Sequence, residues 1–228
     1  MPKIGREQWV KLGWLTIFGI AMAYLEAAVV VYLRQMFYPQ GFVILSLESL
    51  RPMPPFTFAI ELGREAATIV MLAALSIAVS RRNWWERFAF FIWSFGIWDI
   101  FYYVWLYATL RWPSSPLTTD ILFLIPVPWL GPVIAPVLVS ITMLIFAVAI
   151  LRMRTEAQGG ISVWRHWVYM VLGAWLIFSS FTIAHYGETA NLWNDLACGL
   201  LVGILALSAL IAGKDQVRED QRTNEPEK

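Results

Sequence analysis

The sequence predicts an all-α fold: a polytopic integral membrane helical bundle of about six transmembrane helices, with both termini cytoplasmic. Three observations carry this reading. First, the 228-residue chain is 59% hydrophobic and only 14% charged, whereas a soluble domain is about 45–50% apolar and about 25% charged. Second, the apolar excess falls in blocks of about twenty residues, the length that crosses the hydrocarbon core as a helix with its backbone hydrogen bonds satisfied internally. Third, Lys and Arg gather on one side of the implied spans, as cytoplasmic loops require.

The six spans are placed at Trp14–Leu33, Phe56–Ser80, Glu86–Tyr107, Leu130–Leu151, Trp164–Tyr186 and Asp195–Ala212. The first has an apolar stretch longer than the roughly 7–15 residues of a signal-peptide core. It also contains Glu26 with no small-residue cleavage pattern after it, so it reads as a retained helix. Lys3, Arg6, Lys11, Arg81, Arg82, Arg87, Arg152, Arg154 and Arg165 share the cytoplasmic side with the charged tail. The opposite loops hold Arg34, Arg51 and Arg111. Residues 1–212 thus read as a single transmembrane domain in the cell membrane, and 213–228 as a disordered cytoplasmic tail.

Two extracytoplasmic segments, near 40–55 and 118–131, are apolar and rich in proline. They read as interfacial or re-entrant pieces lying over the helix ends. The apolar run from Ile121 to Leu151 would be about 46 Å long as one helix, beyond the roughly 30 Å of hydrocarbon. A break is therefore expected in Pro126–Pro132, with Pro132 near the first turn of the span that follows.

Composition excludes several functions. The formal net charge of +1 carries no nucleic-acid signal, and the lone Cys198 rules out an intramolecular disulfide or a multi-cysteine metal site. No phosphate loop, GxSxG, HExxH or internal repeat is visible. His166 and His185 lie about 28 Å apart along one helix, too far for axial haem ligation. The glycines of Gly199–Gly203 suit close helix packing.

The polar residues inside the spans carry the functional signal. In "IELGREAATIVM" (Ile60–Met71), Glu61, Arg64, Glu65 and Thr68 fall on one helical face. Ile60, Ala67, Val70, Leu72 and Ala74 are assigned to the opposite face. Glu26 shares a face with Gly19, Ala23 and Ala27, a small-residue surface suited to helix packing. Asp99 sits in "FGIWDIFYYVW" with Tyr102 and Tyr103, His185 ends the fifth span, Asn191, Asn194 and Asp195 open the sixth, and Asp120 precedes the broken helix. All fall in the outer leaflet, which implies one polar cavity there. A charge near the bilayer centre costs roughly 2.5–3.5 kcal/mol on insertion scales, so such residues face something other than lipid.

The leading expectation is a metal-dependent membrane-embedded enzyme, of hydrolase or transferase type, acting on a lipid-like substrate. A divalent metal ion would be held by Glu26, Glu61, Glu65, Asp99 and His185 and would neutralise the surplus negative charge. Glu61, Arg64, Glu65 and Asp99 are the candidate catalytic residues, and Arg64, Tyr102 and Tyr103 the candidate substrate-binding ones. Two alternatives stand beside it: a lipid-, quinone- or pigment-binding accessory subunit of a larger membrane complex, and a proton- or cation-coupled transporter. Membrane lipids are the expected partners, with a homo-oligomer or a larger complex compatible and nucleic acid not expected.

Overall fold

The computed structural model divides into two compact units, Met1–Ala157 and Gln158–Lys228, and describes residues 4–39, 42, 54–80, 84–125 and 129–154. The boundary falls within the stretch 1–212 that the sequence suggests is one domain. The fifth and sixth spans, His185, Asn191, Asn194, Asp195, Cys198 and the tail lie outside the described residues, as does most of the segment 40–55.

The described part is mostly helical: α1 (Arg6–Phe37), α2 (Pro55–Val79), α3 (Trp84–Leu110), β1 (Thr119–Phe123), β2 (Trp129–Pro132) and α4 (Ile134–Arg154). All four helices are long and apolar enough to cross a membrane. Two start signals are explicit. The N–H of Gly5 donates to the Gln8 side chain at 3.2 Å ahead of α1, and Pro55 occupies the first turn of α2, where its missing N–H costs nothing. α1 and α3 overrun the expected spans at both ends; α1 continues to Phe37 and so takes in Arg34.

Close approach between backbones organises the bundle around α3. The small-residue face of α1 packs there, with Gly19, Ala23 and Ala27 all buried. A methyl group added at Gly19 would lie 2.9 Å from the Ile97 side chain, and one at Gly96 would lie 2.9 Å from the Ser140 carbonyl of α4. Small residues give helices in lipid this approach, because dispersion contacts replace a hydrophobic drive that lipid does not supply. Trp93 Nε1–H donates to Thr16 at 3.0 Å and Trp105 Nε1–H to the Ile20 carbonyl at 3.0 Å, which fixes the α1–α3 register. Outward-facing residues such as Trp14, Phe56 and Val70 remain exposed, as lipid contact requires.

Three features differ from the sequence reading. The all-α expectation gives way to a mostly helical unit with a two-stranded antiparallel hairpin, pairing Thr119 with Pro132, Asp120 with Gly131 and Ile121 with Leu130. A register shift lies between Ile121 and Phe123. With four prolines between 126 and 136 the segment cannot continue as a helix, and strand pairing satisfies its backbone instead. Second, α4 starts at Ile134, so Pro136, not Pro132, occupies its first turn. Third, Leu72 is fully buried on the same face as Glu61, Glu65, Thr68 and Ser76. It continues the polar stripe at helical spacing and does not lie opposite it.

The α3–α4 contact at Gly96 is directly testable. Gly96→Val drives a branched side chain into the Ser140 backbone and is expected to cost about 1–3 kcal/mol, as overpacking does. Gly63 has open space around its α-carbon, so Gly63→Ala is expected to be neutral or to stabilise by up to about 1 kcal/mol through helix propensity. Detergent-solubilised thermal melts of both variants against the wild type measure the difference.

Candidate functional site

The polar stripe of α2 faces a cavity of about 130 Å³ at the end of the unit where α1 and α3 finish and α2 and α4 begin. Glu26 and Arg34 from α1 line it, as do Glu61, Arg64 and Glu65 from α2, Asp99 and Tyr102 from α3, and Asp120 from β1. Trp98, Phe42 and residues 121–124 complete the wall.

Arg64 joins two helices. Its Nε and Nη2 each lie 2.8 Å from Glu61 Oε2, and its Nη1 pairs with Glu26 Oε1. The spacing of three residues places Glu61 one turn back on the same face, and the rigid fork of donors suits carboxylates on two sides. The Thr68 hydroxyl lies 3.3 Å from Glu26 Oε2 and 3.1 Å from the Arg64 carbonyl, so its one proton serves either. Glu65 Oε2 accepts the backbone N–H of Leu124 at 2.8 Å, which ties α2 to the hairpin. Asp99 Oδ2 accepts the Ser140 hydroxyl at 2.8 Å, which ties α3 to α4.

A second buried ion pair was not legible as part of the site. Arg34, assigned to a loop from the sequence, sits in the last turn of α1 with 7% exposure. Its Nη2 lies 3.2 Å from Asp120 Oδ1. Phe42 and Trp112 stand 4.0 and 3.7 Å from its guanidinium carbon, ring faces toward it, an arrangement that favours a desolvated cation. One signal was available: Glu26, Val30, Leu33, Arg34 and Phe37 recur at helical spacing, which extends the face of Glu26 one turn beyond the expected end of the span.

Tyr102 borders the cavity, but Tyr103 does not. Tyr103 packs with Ala27, Leu106 and Val133, and its hydroxyl hydrogen-bonds to Asp120, a residue that does line the cavity. Among the described residues, no three His, Cys, Asp or Glu side chains are grouped to hold a metal ion. Glu26 and Glu61 are turned toward Arg64, while Glu65 accepts a hydrogen bond from the hairpin and Asp99 one from α4.

A family model described as the SPW repeat domain matches residues 121–209. The match covers less than half of the chain; within the described residues it takes in the hairpin from Ile121 and all of α4. No curated protein and no solved structure matches the chain.

Asp120 lies outside the membrane-spanning helices. Burial pushes its carboxyl up to about 6, against the opposing pull of Arg34 and of hydrogen bonds from Ile121 and Tyr103. Arg34, Asp99, Tyr102 and Tyr103 are the charged and titratable groups facing it. At pH 7 it is the anion that Arg34 pairs with. Because the folded value lies above the ordinary 3.8, the folded state holds the proton more tightly than the unfolded chain. The contribution of this group to stability is therefore full below about pH 4 and lost as pH rises through about 6. Measured against Asp120→Asn, the wild-type melting midpoint should fall between pH 4 and pH 6. A wild-type advantage that grows with pH would show that Arg34 outweighs burial.

Arg64→Ala should destabilise by about 3–5 kcal/mol, the usual cost of removing one partner from a buried pair, since it strands both Glu26 and Glu61. Arg64→Ala combined with Glu26→Gln and Glu61→Gln should recover part of that loss, which chemical denaturation of the three-site variant measures.

Proposed function

We propose that this is a multi-pass cell-membrane protein whose polar cavity binds a small ligand group bearing a positive charge. The reading rests on one observation: five carboxylates and two guanidiniums surround the same small space, a formal surplus of three negative charges when all are ionised. Trp98 and Tyr102 line the cavity beside those carboxylates, and aromatic rings at such a site suit an ammonium group. The distribution of Lys and Arg supports both termini being cytoplasmic, six spans in all, and a cavity that opens on the extracytoplasmic side.

The arrangement favours binding over the expected metal-dependent hydrolysis or transfer. Glu26 and Glu61 both bind Arg64, and among the described residues no three acidic side chains converge on one point, as a divalent ion demands. Glu65 accepts backbone hydrogen bonds from Leu124 and Ile125, and Asp99 accepts the Ser140 hydroxyl, so both carboxylates are held in place without a cationic partner of their own as close as Arg64 is to Glu26 and Glu61. They are the residues on which ligand affinity should depend.

Thermal midpoints in nonionic detergent test this. Ethylamine should raise the wild-type midpoint in a saturable way. Glu65→Gln and Asp99→Asn keep the acceptor oxygen but lose the charge, and each should weaken binding roughly tenfold, ~1.4 kcal/mol. If ethylamine has no effect while micromolar divalent ions raise the midpoint, the cation-group reading falls and a metal-binding one takes its place.

A further inference from the structure

Arg34 has more hydrogen-bond donors than its surroundings accept. Its Nη2 reaches Asp120, while Nε and Nη1 are buried without an acceptor among the described residues. Phe42 and Trp112 pack against the guanidinium with their own planes 72° apart, so they close two sides of it and supply no acceptor. Asp120 has one further oxygen. By rotating, that oxygen could serve Nε or Nη1, but not both, so among the described residues at least one N–H group of a buried cation stays unmet. Leaving such a donor unsatisfied costs about 1–3 kcal/mol, and more when it is charged. Arg34 lines the cavity, which is where an acceptor can come from.

We infer that the cavity has a second subsite at Arg34 that takes an oxygen acceptor, and that the ligand is a zwitterion. This rests on the cation-group reading above. A lone anion does not fit, because it would enter a space already carrying a surplus of negative charge. An acceptor that brings its own ammonium group does fit: the ammonium lies against Glu65 and Asp99, and the oxyanion lies at the clamped edge of Arg34. Size agrees. A cavity of about 130 Å³ is close to the ~150 Å³ that holds a benzene molecule, room for roughly six to eight non-hydrogen atoms. An amino alcohol phosphate is of that order; as a lipid diester it is a net-neutral zwitterion, and as the free monoester its ammonium offsets one of nearly two phosphate charges. It could arrive as a free solute or as the headgroup of a lipid.

Calorimetric binding to the full-length protein in a nonionic detergent, with ethylamine, phosphoethanolamine and inorganic phosphate as probes, separates the possibilities. The expected result is that phosphoethanolamine binds at least tenfold more tightly than ethylamine and that phosphate alone does not bind. In Arg34→Lys, which keeps a charge for Asp120 but loses the planar edge, the preference should fall below threefold. A wild-type preference already below threefold overturns the zwitterion inference and leaves the cation-group reading standing. Binding of phosphate alone, or of none of the probes, overturns both. The wild-type comparison decides even if Arg34→Lys does not fold. Phosphatidylethanolamine competing with phosphoethanolamine would support a lipid headgroup as the source; binding of the free solute without such competition would support a soluble one.

Discussion

A guanidinium shared between two carboxylates of neighbouring helices is the constraint on which the rest of this unit depends. Arg64 reaches across from α2 to Glu26 of α1 and one turn back to Glu61. None of the three can be turned toward lipid without exposing a charge to hydrocarbon, so the rotation of both helices about their axes is fixed by this contact. Once it is fixed, Glu65 must point toward the hairpin and the small residues of α1 must point toward α3. Of the four helices, α2 buries the smallest share of its apolar span inside the structure. Its position therefore relies on polar contacts more than on packing.

The hairpin extends the same logic to a segment that cannot be helical. Proline removes backbone donors and excludes a continuous helix, yet unpaired backbone near hydrocarbon is costly. Strand pairing between Thr119–Phe123 and Trp129–Pro132 meets part of that demand. Glu65 accepts the Leu124 N–H, and Arg34 anchors the first strand through the Asp120 side chain. The cavity is thus closed on one side by a short sheet whose anchors are also the cavity's charged groups.

Much of this was legible from residue order. The four described helices, the disruption after Ile121 and the shared depth of Glu26, Glu61, Glu65 and Asp99 follow from hydropathy, proline chemistry and helical periodicity. Arg34 and Asp120 were harder to place. Each sits at the end of an apolar run, where a charge normally marks the water boundary, and their partnership joins residues 86 positions apart. Periodicity relates neighbours on one helix and gives no information about such a pair. Strand formation was missed for a similar reason: a short apolar run containing prolines has no period to read. Leu72 shows the opposite case, in which the period was present and the residue was assigned to the wrong face.

The Glu26–Arg64 pair also has a consequence for biosynthesis. The partners belong to successive helices, so α1 leaves the ribosome before the residue that neutralises its buried acid has been made. An unpaired charge of this kind opposes entry into the bilayer by a few kcal/mol, which favours holding α1 at the protein-lined insertion machinery until α2 follows. The two helices would then partition into lipid as a preassembled hairpin, with the ion pair already closed. Slowing translation between residues 38 and 60 would lengthen the interval during which α1 waits, making that stretch of the message a control point for the yield of correctly inserted protein.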